Sequence, residues 1–261
     1  MRRQSRFVVV GAWLLALGCL GAGAGCDSTG VGNPGQVDLA VSADPVEEPT
    51  PGVDGGVVDP VKPALLNAVV VVDEIRLVPC PGQGATPVVF PGPMAIDLVA
   101  GTVYPARPAP RRARGAYCGL EAPLGEARRP AEIAGASVFF KARRRDGVEV
   151  LLFASVRGTL RVVGRGAGMT VPDDGARWVW GMRPAQWVMG SEVDTLQPVL
   201  VNGRPIVVID ADRLPLLFAA IRARLGGVSA LFLDEDGDGR LDVEERRPDN
   251  VIGDGSPQID P

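Results

Sequence analysis

The sequence predicts a mainly β chain, an antiparallel β-sandwich closed by one short C-terminal helical segment. Three observations carry this. Short apolar runs alternate with polar residues and are punctuated by Pro-Gly, Asp-Gly and Asn-Gly turns. One stretch, Leu214–Leu225, has helical periodicity and stops at Gly226-Gly227. It is followed by Asp234-Glu-Asp-Gly-Asp-Gly-Arg-Leu-Asp-Val-Glu-Glu245, a run with the spacing of an EF-hand calcium loop.

The chain opens on a basic stretch, Met1 to Arg6, and an apolar run from Phe7 to about Leu20. That run is short for a membrane span and fits an export signal over residues 1–25. Gly23-Ala-Gly-Cys26 then reads as a lipobox, with Cys26 as the lipidation site and Cys19 as its rival. The polar start Asp27 to Pro34 favours Cys26, because a lipid-anchored protein needs a flexible link to its membrane. Cleavage as an ordinary secreted protein is the alternative. Residues 26–62 are rich in Gly, Pro and acidic residues and are expected to form that tether, with a possible first strand at 36–42.

The sandwich is expected over residues 63–210. Ala68–Val72, Ile75–Val78, Pro87–Phe90, Met94–Val99 and Gly115–Glu121 read as strands. The clearest hairpin joins Ser137–Arg143 to Val148–Ser155 across Asp146-Gly147, a two-residue turn pair. Thr159–Val163, Arg177–Trp180, Gln186–Met189 and Ile206–Ile209 continue the pattern, with Asn202-Gly203 as a further turn. Residues 211–248 hold the helix and the acidic loop, and 249–261 are expected to be a disordered tail.

In the loop, Asp234, Asp236 and Asp238 fill the first, third and fifth ligand places, and Gly239 the sharp turn. Arg240 would ligate through its carbonyl, Asp242 through a water, and Glu245 as the bidentate carboxylate. Leu241 takes the apolar place that faces a core. Calcium is a hard cation that needs six to eight oxygens, which explains why so many carboxylates converge. A solvated acidic turn is the alternative. With Pro248 close behind, any exit helix is limited to a turn or two, which suits a structural clip better than a sensor.

Composition narrows the function. Removing residues 1–25 leaves 24 basic against 31 acidic residues, the wrong balance for nucleic acid as a partner. The clusters Arg111–Arg114 and Arg143–Arg145 read as solvated charge, with an anionic polysaccharide or lipid surface as the other reading. There is no histidine, which removes the usual base of serine and cysteine triads and His-ligated zinc. Gly164–Gly168 is not followed by a helix start and is no nucleotide loop. Asp173-Asp174 and Glu192 with Asp194 are carboxylate pairs of the kind a glycosidase uses, so a carbohydrate-active enzyme stays as the alternative to a non-catalytic protein. A structural subunit of an envelope complex is a third reading. Trp178, Trp180 and Trp187 read as core aromatics, with a sugar-stacking platform as the other option. After export, Cys80 and Cys118 remain as one possible disulfide.

Val37–Val41, Val70–Val78, Ile96–Gly101, Tyr117–Glu121, Gln186-Trp187 and Leu231–Gly239 resemble bacterial envelope lipoproteins that carry domains of unknown function and a tether like Gly32-Asn-Pro34. The resemblance implies a β-rich, calcium-binding envelope lipoprotein without an assigned activity. Gly23 and the insertion Ala43–Lys62 depart from it. The expectation is therefore a lipid-anchored protein facing the periplasm or cell exterior. Its partners would be the membrane and a glycan or envelope protein.

Overall fold

The computed structural model describes residues 35–44, 64–129, 131–166, 169–188 and 190–256. The expected signal peptide, Cys26 and the tether on both sides of residues 35–44 lie outside the described residues. Among these, the alternating pattern gives fifteen strands. They are β1 (Gln36–Ala43), β2 (Ala64–Pro79), β3 (Val88–Asp97), β4 (Thr102–Tyr104) and β5 (Arg111–Arg112). Next come β6 (Gly115–Pro123), β7 (Val138–Arg143), β8 (Glu149–Ala154), β9 (Thr159–Gly164) and β10 (Met169–Val171). The last are β11 (Ala176–Met182), β12 (Val199–Val201), β13 (Arg204–Ile209), β14 (Ser229–Leu233) and β15 (Val251–Gly255). A single turn, α1 (Gly190–Val193), and the helix α2 (Pro215–Gly227) complete the elements.

The chain is mainly β, as predicted, but its strands form one connected sheet. The order runs β12-β13-β8-β7-β2-β6-β9-β15-β14-β11-β1-β5, with β3 and β4 beside β2 and β10 beside β6. The result is a curled, mixed half-barrel in place of the expected antiparallel sandwich. Two features explain the difference. The first is β2, whose sixteen residues bend at a bulge between Val72 and Glu74. Its first half pairs with β7 and its second with β6, so the sheet forks there. The second is a pair of parallel contacts, β1 with β11 and β13 with β8. Each joins strands far apart in sequence, which a hairpin-by-hairpin reading does not find.

The inner face holds the core. Val37, Leu39 and Val41 of β1, Ile75 and Leu77 of β2, and Trp178 and Trp180 of β11 all belong to one buried cluster. Alternation sends their neighbours to the other face, where Ala40, Val179 and Phe232 form a second, smaller cluster with Leu241. Cys80 and Cys118 are joined as a disulfide, tying the end of β2 to β6.

Several local expectations change. Residues 249–256 are not a free tail, because β15 runs between β9 and β14. Its glycines and acidic residues hid a strand whose partners, not its propensity, hold it in place. The strand expected at Gln186–Met189 is not found at Gln186–Val188: Gln186 closes a 3-10 turn over Pro184–Gln186, and Trp187 and Val188 follow it as turn and bend. Pro184 lacks an N–H for a ladder and starts the turn in which Trp187 N–H donates to its carbonyl. β3 runs unbroken through Pro91-Gly92-Pro93, where two strands were expected. The β7–β8 loop spans three residues, Arg145–Gly147. Arg144 and Val148 bond across it, and only Gly147 has positive φ (83°). At Asn202-Gly203 both φ angles are positive (51° and 76°), as a two-residue turn of that type needs.

Candidate metal centre

The acidic loop is the connection between two adjacent antiparallel strands, β14 and β15. It is therefore strand–loop–strand. The expected helix α2 is present but ends before β14, and residues after Glu245 form turns with no exit helix. The reason is geometric: β15 must return beside β14, and a helix leaving the loop would carry the chain away. The base is pinned by Asp234 N–H donating to Arg177 O (3.0 Å) and Leu233 N–H to Asn250 O (3.1 Å).

Within the loop, backbone N–H groups aim the carboxylates. Gly237 and Gly239 N–H donate to Asp234 (2.7 and 3.2 Å), and Asp238 N–H donates to Asp236 (3.0 Å). Glu235 N–H donates to Glu245 (2.7 Å), which ties the start of the loop to its end. Gly239 has φ of 75°, the left-handed conformation that the sixth place requires.

Three of the six predicted ligands converge. Carboxylate oxygens of Asp234, Asp236 and Glu245 all lie within 4.8 Å of one another. Two oxygens on opposite sides of a calcium ion at ~2.4 Å each would stand ~4.8 Å apart, so the spacing suits such an ion. Asp238 and Asp242 stand outside this group. Asp238 accepts from Arg240 N–H (2.6 Å), Asp242 accepts from Glu245 N–H (3.0 Å), and Arg240 is exposed.

The electrostatics favour a cation. Asp234 and Glu245 are 6% and 3% exposed. Burial pushes both carboxyls above their ordinary range, and neighbouring carboxylates add to the rise while backbone N–H donors oppose it. A hard cation would reverse that penalty, and an all-oxygen donor set suits calcium better than a softer metal. The residues present fit the ion.

The loop is also tied down by contacts outside its ligand places. Leu241, 4% exposed, packs on Ala40, Val179 and Phe232, so the apolar eighth place does face a core. Arg246 reaches Asp44, just beyond β1, at 3.8 Å, and Arg183 also pairs with Asp44. Arg107 pairs with Asp38 (3.2 Å) while its guanidinium lies where a Cβ on Gly239 would be. These partners are distant in sequence, and no local signal marks them.

The other candidates fall into structural places. Trp178, Trp180 and Trp187 are each at most 1% exposed and belong to the core. Glu192 is engaged by the Arg224 guanidinium, and Asp173 and Asp174 stand exposed in the turn before β11. Arg144, expected to be solvated, is mostly buried and donates to the carbonyls of Val193 and Leu196 (3.0 and 2.8 Å). No helix among the described residues is long and apolar enough to cross a membrane. No protein-family model, curated protein or solved structure matches the chain.

Proposed function

We propose that this chain is a lipid-anchored, calcium-stabilised cell-envelope protein with a non-catalytic binding or adhesion role. The observation that carries the calcium reading is the burial of Asp234 and Glu245 face to face with Asp236. Buried carboxylates of like charge are unfavourable together unless a cation joins them. The twelve-residue spacing places further oxygens close by in sequence, on Asp238, the Arg240 carbonyl and Asp242, which stand outside the converging group and would have to turn in on binding. Bound calcium would supply the positive charge that keeps all three converging carboxylates ionised, and this chain's backbone N–H groups orient them.

Export and anchoring are supported by the signal-like start, by Cys26, and by the Cys80–Cys118 disulfide, which suits an oxidising compartment. An acyl chain contributes ~0.8 kcal/mol per buried methylene, so several chains on Cys26 would hold the protein on a membrane. The buried tryptophans argue against a stacking platform on β11. A groove of about 840 Å³ across β2, β3, β4 and β7 is a better place for a glycan or protein partner, lined by the half-exposed Tyr104 at one side and by Phe139 and Lys141 at the other.

Two experiments test this reading. Calorimetric titration of chelator-treated protein should show one calcium per chain, and none for Asp234→Ala. Metabolic labelling with a fatty-acid analogue should mark the wild type and not Cys26→Ser. Absence of calcium binding in the millimolar range, the weak end for extracellular sites, would remove the calcium half. Unlabelled wild type would remove the anchor.

A further inference from the structure

We propose that the calcium loop is a latch on the N-terminal strand β1: calcium holds β1 on the sheet, and loss of calcium releases it while β2, β6, β7 and β8 stay folded. This rests on the calcium reading above.

β1 is weakly held at its second edge. It pairs with β11 along Val37–Ala43, but with β5 only at Gln36 and Val37. Beyond that point the flank of β1 borders a cavity of about 230 Å³, between Leu39 and Val41 on one side and Met94 and Ile96 on the other. Asp238, Gly239 and Arg240 of the loop form part of its rim.

The outer face of β1 is held by the loop itself. Even-numbered residues point outward; two of them are engaged directly by residues 239–246 and a third through Arg107. Ala40 lies under Leu241. Asp38 is bonded by Arg107, whose guanidinium is seated against Gly239. Asp44, 3% exposed, is paired with Arg246, the residue after the last calcium ligand. The same short segment thus carries the ligand Glu245 and two of the contacts on the outer face of β1, those of Leu241 and Arg246, while Arg183 holds Asp44 from β11's side. Without the cation, three mutually repelling carboxylates sit within 4.8 Å. Opening the loop relieves that repulsion and removes Leu241 and Arg246 from β1 together.

The consequence concerns reach. β1 has eight residues, and once it leaves the sheet the next fixed point is Ala64, so the chain between the anchor and the remaining sheet lengthens by at least ~26 Å of extended contour at ~3.3 Å per residue. Calcium would then set how far the body stands from its membrane.

Hydrogen exchange of the full chain carrying Cys26→Ser tests this, with calcium stoichiometry measured by calorimetry on the same samples. Chelation should speed exchange in residues 36–43 at least tenfold and leave β7 and β8 within twofold. Arg246→Gln and, separately, Leu241→Ala should still bind one calcium yet lose most of the calcium-dependent protection of β1. Calcium binding with unchanged β1 exchange would overturn the latch and leave the calcium reading intact. Equal acceleration in every strand would overturn it too, since calcium would then clip the whole fold. If no calcium binds, the reading beneath falls, and the latch with it.

Discussion

At the scale of single residues, Asp234 and Glu245 hold the account together because each is both buried and acidic. Their carboxyls are raised above the ordinary values of 3.8 and 4.5 by desolvation. A raised carboxyl means that the folded state binds more protons than the unfolded chain just above those values. Stability of the calcium-free protein therefore falls as pH rises through that window. Asp146 and Asp254 act in the opposite sense, since Arg144 and Arg165 hold them low and their contribution is lost on acidification. Urea unfolding in chelator should accordingly show calcium-free stability rising as pH drops from neutral towards the raised carboxyls, then falling at lower pH. With calcium present the first trend should invert, because protons compete with the ion.

Glu245→Gln separates the two roles of that carboxylate. It removes a buried charge, so in chelator its unfolding midpoint should equal or exceed the wild type. In calcium at a hundredfold its dissociation constant the variant should forgo the ~2.7 kcal/mol that the wild type gains. Asp234, Asp236 and Glu245 were legible because ligand spacing is a local property of sequence. Asp44, Arg107 and Arg246 were not, since they meet the loop only once β1 lies beside β11.

At the scale of elements, the decisive piece is the β14–loop–β15 hairpin. The helix α2 lies where the sequence placed it, between Leu214 and the two glycines at its end. β15 was not, because Val251-Ile-Gly-Asp-Gly255 has weak strand propensity and is fixed by ladders to β9 and β14. A chain ending at residue 249 therefore tests the assignment: it should fail to give a cooperative thermal transition, whereas a disordered tail could be removed without effect. Leu241→Ala should cost ~2–5 kcal/mol in calcium, the range for a buried leucine, read from the shift in urea midpoint. Turn residues were informative where φ is the constraint, as at Asn202-Gly203. They misled at Asp146-Gly147 only in loop length, since a glycine suits either form.

At the scale of the whole molecule, the curled sheet follows from the long bent β2 and from pairings between strands remote in sequence. Alternation revealed that the chain is β-rich. It could not show whether the inner faces belong to two sheets or to one that bends round. The Cys80–Cys118 bridge crosses between β2 and β6, and its place was legible because the reading that gives Cys19 to an export signal and Cys26 to lipidation leaves only these two. Replacing both by serine should cost ~4 kcal/mol by the chain-entropy argument, more than a typical domain can spare without a marked fall in its urea midpoint.

The most direct measurement is thermal unfolding of the Cys26→Ser chain in millimolar calcium and in chelator, beside Glu245→Gln. A calcium-dependent rise of several degrees is expected in the wild type and none in the variant. Identical transitions for the wild type in both buffers would contradict it, and residues 234–245 would then be an acidic turn between two strands.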